Sequence, residues 1–196
     1  DLIEQEKLNV FMAVPTIYYK LIAYVETLAI NEQISLRAYM KKFRLMVCGS
    51  AALPVSVMDK WAQISGHKLL ERYGMTELGM AISNPYHGDR KAGYVGIPLP
   101  GVQIKLADEN FVQVEDQMPG EILVKGANVF KEYWKRPEAT QATFTNDGWF
   151  KTGDIGHLME NGTLRIIDRK KDLVKMQGGE YVSLGKVILK YLLFLI

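Results

Sequence analysis

The chain has 196 residues, 48% hydrophobic and 23% charged, a balance that suits a folded globular protein and excludes a disordered one. Its 24 basic and 22 acidic residues leave a formal charge of +2, which implies no strong field for nucleic acid or a membrane surface. One cysteine, Cys48, rules out an intrachain disulfide and, within the apolar run Leu45-Met46-Val47-Cys48, reads as an inert strand residue of a reducing compartment.

No signal or transit peptide is visible from Asp1-Leu2-Ile3 onward, although a targeting segment can precede it. Val10-Phe11-Met12-Ala13-Val14, closed by Pro15, predicts a short buried strand. Ile17, Leu21, Val25 and Leu28 then share one face of a predicted helix, a second helix is expected over 36–43, and 44–48 reads as the next buried strand. This β-α-β rhythm implies a parallel sheet. Gly49-Ser50-Ala51-Ala52-Leu53-Pro54 follows as a turn, and a helix with Val57, Met58, Trp61 and Ile64 on one face ends at Gly66. A third strand is expected over 68–72. The turn at 49–54 and the segment after Arg72 therefore leave the sheet at one edge, the carboxyl edge where open α/β sheets bind ligands.

From Ala92 the texture changes. Gly93, Gly96, Pro98, Pro100 and Gly101 punctuate the chain, and short apolar runs at 102–106 and 121–124 predict a small antiparallel, barrel-like part. An isolated helix is expected over 137–144, then a hairpin turning at Glu160-Asn161-Gly162. The division this suggests is 1–91 as an α/β part, 92–170 as a β-rich part and 171–196 as the start of something further. The apolar end, 187–196, is only about 10 residues where a membrane helix needs about 20, so it reads as an incomplete element rather than an anchor.

Chemistry concentrates in Glu71-Arg72-Tyr73-Gly74-Met75-Thr76-Glu77, with Gly79 beyond. An aromatic ring can stack on a purine, a glycine lets backbone approach a ligand, a hydroxyl can donate to a phosphate oxygen, and a carboxylate can hold Mg²⁺. Those are the parts of a nucleotide site.

Together with 49–54, Trp149-Phe150-Lys151-Thr152-Gly153-Asp154 and Asp168-Arg169-Lys170-Lys171-Asp172, this segment resembles, in order and spacing, the motifs of the adenylate-forming superfamily of acyl-CoA synthetases, luciferases and peptide-synthetase adenylation domains. The resemblance covers nearly the whole chain. It implies a carboxylate activated by ATP to an acyl-adenylate and, in the acyl-CoA branch, passed to coenzyme A. By matching position, Gly49, Ser50, Ala51 and Ala52 would line the adenine pocket and Tyr73 would stack on the base, beside Gly74. Thr76 would bind the α-phosphate and Glu77 the Mg²⁺, Asp154 would accept from both ribose hydroxyls, and Arg169 would reach ribose or phosphate. Lys171 matches the hinge of a rotating C-terminal domain, and Lys175, with Gly178 and Gly179, the segment that enters the site for the thioester step.

Phe11-Met12-Ala13-Val14-Pro15-Thr16 and 70–77 look like malonyl-CoA synthetases, in which the Arg before the Tyr, here Arg72, holds the distal carboxylate of malonate. The expected substrates are thus a small carboxylate, malonate or methylmalonate, with ATP and CoA, in mitochondrial matrix or cytoplasm. The segments 165–175 and 179–187 look closer to long-chain fatty acyl-CoA synthetases, which keeps a medium- or long-chain fatty acid as the alternative. The family's Gly/Ser/Thr-rich phosphate loop with its Lys, and its late catalytic Lys, are not among these residues. The 196 residues by themselves are therefore expected to adenylate little, and a catalytically incomplete product that at most binds nucleotide is the competing reading. An adenylation domain serving a carrier protein, or making light, is a third.

Overall fold

The computed structural model describes residues 8–115 and 117–175, and the backbone of 181–183. The chain divides into two compact units, Asp1–Leu99 and Pro100–Ile196.

In the first unit β1 (Val10–Ala13), β2 (Leu45–Cys48) and β3 (Leu70–Met75) pair in parallel, as the β-α-β rhythm requires. Helices α1 (Pro15–Thr27), α2 (Ile30–Met40) and α3 (Val55–Ser65) connect them. Pro15 opens α1, where its missing N–H is no loss. The buried stripe of α1 is Tyr18, Ile22 and Val25, with Ile17 exposed, so the expected face is turned by one position. The doublets Ile17-Tyr18 and Leu21-Ile22 make two neighbouring stripes apolar, and the aromatic member decides between them. Tyr18 packs edge-on to Trp61 at 5.0 Å and to Phe11 at 5.6 Å, and its hydroxyl donates to the Val47 carbonyl at 2.8 Å. Helix α2 starts well before Leu36 because the Glu32 carboxylate accepts the Ala29 N–H at 2.9 Å and satisfies a donor of the first turn. Helix α3 ends on Gly66, whose left-handed φ of 81° allows its N–H to reach the Ala62 carbonyl.

Strand β3 runs on through Met75, beyond the expected 68–72, because it forms an antiparallel hairpin with β4 (Gly79–Ser83); β4 in turn pairs with β5 (Tyr94–Pro98). Parallel pairing thus gives way to antiparallel pairing at β3.

The second unit is rich in strands. Strands β6 (Gln103–Ala107), β7 (Gly120–Lys125), β8 (Phe150–Leu158) and β9 (Leu164–Arg169) form an antiparallel ladder in the order β9-β8-β7-β6, with α4 (Pro137–Thr143) preceding β8. Gly162, at φ 77°, makes the β8–β9 turn. A 3-10 turn, Lys170–Asp172, leads to β10 (Leu173–Lys175), which pairs with β11 (Tyr181–Ser183). The Lys175 side chain, Gly178, Gly179 and the apolar end at 188–196 lie outside the described residues. Among the described residues no helix is long and apolar enough to cross a membrane.

Candidate functional site

The carboxyl ends of β2 and β3 carry nine of the residues singled out above, Gly49, Ser50, Ala51 and Ala52 after β2 and Arg72, Tyr73, Gly74, Thr76 and Glu77 along and after β3. Gly49 follows β2 directly and is buried against Arg72: a Cβ there would lie 3.3 Å from both Nη1 and the backbone oxygen of Arg72. Ser50, Ala51 and Ala52 are exposed beyond it, with Ser50 in the left-handed region at φ 67°, a conformation uncommon for a residue with a Cβ. The Arg72 guanidinium meets two thioethers, Nη1 on Met80 Sδ at 2.8 Å and Nη2 on Met12 Sδ at 2.7 Å. Among the described residues no carboxylate lies within ion-pair reach of it. Tyr73 is half-buried, and Thr76 and Glu77 occupy the β3–β4 turn, closed by the Leu78 N–H donating to the Met75 carbonyl. Gly74 has a packing reason within this hairpin: a Cβ there would run into the Gly79 carbonyl oxygen.

Glu71, one residue before Arg72, is buried at 4% exposure and fastens this edge. Its Oε1 accepts the Gly93 N–H at 2.9 Å, and the Leu53 N–H also reaches the carboxylate. Burial pushes its pKa up from 4.5 to about 7 despite these two donors. Burial, and then the neighbouring Glu71, push the Cys48 thiol up to about 12, so it is the inert residue expected from its run. Between about 4.5 and 7 folded Glu71 holds a proton that the unfolded chain has released. Its contribution to stability is therefore full at the acid end and lost as pH rises through about 7. Thermal melts from pH 5 to pH 8 should show a fall for the wild type that Glu71→Gln lacks, on the order of 3 kcal/mol. Equal slopes for the two proteins would refute this.

In the second unit β8 departs from its ladder where Asp154 sits. Glu121 faces Ile155 and Leu123 faces Lys151, so residues 152–154 stand opposite Ile122 alone. Such bulges re-aim side chains. The Thr152 hydroxyl donates to the Ile122 carbonyl at 2.8 Å and accepts the Asp154 N–H at 3.1 Å, and the Gly153 N–H, at φ 71°, donates to Glu121 Oε1 at 3.2 Å. Asp154 is buried and lies across the strands from Arg169, Oδ1 to Nε at 3.3 Å, with the Arg169 side chain 57% exposed. Lys170 Nζ reaches Glu121 Oε2 at 2.7 Å, and Lys171 is exposed in the 3-10 turn.

The AMP-binding enzyme family profile matches residues 1–134. The chain belongs to the AMP-binding enzyme family. It is 49% identical over 205 residues to the mitochondrial malonate–CoA ligase of Homo sapiens, covering 92% of this chain and 35% of that protein. It is 44% identical over 151 residues to long-chain-fatty-acid–CoA ligase 5 of Rattus norvegicus, covering 74% of this chain and 22% of that one. The structure matches ATP-bound MatB of Rhodopseudomonas palustris with a TM-score of 0.82 at 39% identity, over 95% of this chain and 36% of MatB. The chain thus spans between 22% and 36% of the length of these relatives.

For an AMP-binding enzyme the donor set is suitable. Among the described residues no group of three or more ligating side chains gathers to cage a metal, but Mg²⁺ does not need one. It keeps several waters and is held by one or two carboxylates with phosphate oxygens, a demand that Glu77 in an accessible turn meets. Sequence reasoning passed over Met12 and Met80 as partners of Arg72, and Glu121 as a partner of Gly153. The local signal for Glu121 is a carboxylate just ahead of the apolar run Ile122-Leu123-Val124.

Proposed function

We propose that the chain is part of an ATP-dependent acyl-CoA synthetase that activates malonate or methylmalonate to its acyl-adenylate and transfers it to CoA. The supporting observation is the setting of Arg72. A thioether is a weak acceptor, so a guanidinium whose side-chain partners among the described residues are Met12 and Met80 keeps its capacity for the bidentate pairing a carboxylate offers. A malonate whose distal carboxylate meets Arg72 is favoured over a monocarboxylate, which leaves that charge without its partner.

In this reading Gly49, Ser50, Ala51 and Ala52 border the adenine, Tyr73 stacks on it and Gly74 keeps the hairpin tight beneath the ring. The Thr76 hydroxyl donates to the α-phosphate, the two Asp154 oxygens accept from the ribose hydroxyls, and Arg169 moves from Asp154 towards ribose or phosphate. Glu77 would hold Mg²⁺, which when bound would supply positive charge beside the phosphate oxygens. Lys171 serves as the hinge and Lys175 belongs to the thioester step. Residues 1–91 and 92–170 form two parts of the nucleotide-binding domain, and 171–196 begins the next. The compartment is mitochondrial matrix or cytoplasm. Activity belongs to the longer protein, since phosphoryl chemistry without its full set of charges loses orders of magnitude in rate.

In the longer enzyme Arg72→Ala should reduce the preference for malonate over acetate by tenfold to thirtyfold, the loss of about 1.5–2 kcal/mol for one charge-assisted contact. Competition between the two acids in acyl-CoA formation measures it. An unchanged ratio would falsify the malonate assignment and leave the fatty acyl alternative, which the similarity to the rat ligase supports.

A further inference from the structure

We propose that Glu121 is a positioning residue for ribose recognition: through the Gly153 N–H it aims Asp154, and Lys170 balances its charge. This rests on the reading of Asp154 as the ribose ligand.

The Glu121 side chain is 5% exposed, and a buried carboxylate is held at such a place only when both oxygens are satisfied. They are satisfied from two directions. Oε2 accepts Lys170 Nζ at 2.7 Å, and Oε1 accepts the Gly153 N–H at 3.2 Å. Gly153 is the middle residue of the stretch that faces Ile122 alone, and its left-handed φ of 71° leaves its N–H without a ladder partner in the β7–β8 pairing. Thr152 fixes one side of the bulge through Ile122 and the Asp154 N–H; Glu121 fixes its apex. These two anchors set the backbone from which the Asp154 carboxylate projects.

Lys170 stands in a different relation to Glu121. Its side chain is 40% exposed and also lies over the Phe111 ring, 5.7 Å from the centroid, so it is long, flexible and able to follow a displaced carboxylate. The Gly153 N–H belongs to backbone and is not. Lys170 opens the 3-10 turn that contains Lys171. The carboxylate that shapes the ribose segment therefore also seats the residue beside the proposed hinge.

The difference between a fixed and a flexible donor gives the test. Glu121→Asp keeps the charge, which Lys170 can follow, but withdraws the oxygen from Gly153. Glu121→Gln keeps the reach and one acceptor, which the fixed Gly153 N–H retains while Lys170 turns to water. Calorimetry with AMP and with 2′,3′-dideoxy-AMP on the 196-residue chain reads the hydroxyl-dependent part of the affinity. The ratio of the two constants should fall about tenfold in Glu121→Asp, the equivalent of about 1.4 kcal/mol, and stay within about threefold of wild type in Glu121→Gln. The opposite order, or both variants weakening the two nucleotides equally, means that Glu121 acts only as a charge partner and overturns the proposal. Wild type that binds neither nucleotide overturns instead the reading of the nucleotide site on which it rests, and a wild type that does not distinguish them overturns the assignment of Asp154.

Discussion

Asp154→Ala is expected to weaken AMP binding to the 196-residue chain by about 100-fold, while its melting midpoint moves by no more than about 2–4 °C. The binding loss follows from geometry. In the proposed role one carboxylate accepts from two vicinal hydroxyls, each a charge-assisted contact of about 1.5–3 kcal/mol, and the two are not fully additive. The small effect on folding follows from the bulge. Thr152 and Gly153 hold it through Ile122 and Glu121 without using the Asp154 side chain. The pair lost with Arg169 involves a partner that is more than half exposed, and such pairs contribute about 0–1 kcal/mol. Calorimetry and a thermal melt on the same sample decide the matter. Undiminished affinity removes Asp154 from the site, and a collapsed melt makes it a structural residue.

This residue also marks how far the sequence carries. Asp154 was singled out because its string, Trp149-Phe150-Lys151-Thr152-Gly153-Asp154, matches a motif of the family, and β1, β2 and α3 were legible because apolar patterns end at Pro15, Gly49 and Gly66. The face of α1 was not, since two adjacent apolar stripes satisfy the helical period equally. Only Trp61 and Phe11, brought from other elements, select the one that carries Tyr18. The start of α2 was hidden because its N-terminal support is a single carboxylate, Glu32, and not an apolar pattern. The extension of β3 depended on a hairpin partner, Gly79–Ser83, with weak strand character of its own. The contacts that give the site its character are more distant still. Met12 reaches Arg72 across 60 positions and Lys170 reaches Glu121 across 49, and no local period or composition records such a pair.

Trp61→Ala should destabilise the first unit by about 3–5 kcal/mol, the largest effect on folding expected of any single truncation here. Trp61 is 2% exposed, stands edge-on to Tyr18, and donates its Nε1–H to Met46 Sδ at 3.2 Å. One ring therefore joins α3 to α1 and β2. The aromatic pair adds about 0.5–1.5 kcal/mol beyond area burial, and a cavity of that size closes only in part. Because α3 begins directly after the turn that holds Gly49, Ser50, Ala51 and Ala52, loosening the helix releases the shelf, and affinity for AMP should fall together with stability. The adjacent Lys60 supplies an internal control. Its pair with Glu26 at 2.7 Å is about half exposed on both sides, so Lys60→Ala should change stability by no more than about 1 kcal/mol. Denaturant titration of both variants compares them directly; a Trp61→Ala loss as small as that of Lys60→Ala would place the core elsewhere.

The departure of β8 from its ladder has a consequence for how such a strand can vary. In a regular pair, adding or removing one residue turns every later side chain to the other face. Here the pairs on either side, Lys151 with Leu123 and Ile155 with Glu121, are separated by an even number of steps on both strands. The inward and outward alternation therefore resumes in phase on the far side. A change of length by two residues between those pairs keeps Lys151 and Ile155 on one face of the sheet and Phe150, five positions from Ile155, on the other. The segment that carries Asp154 can in this sense change by two residues while the β7–β8 pairing on either side of it keeps its parity.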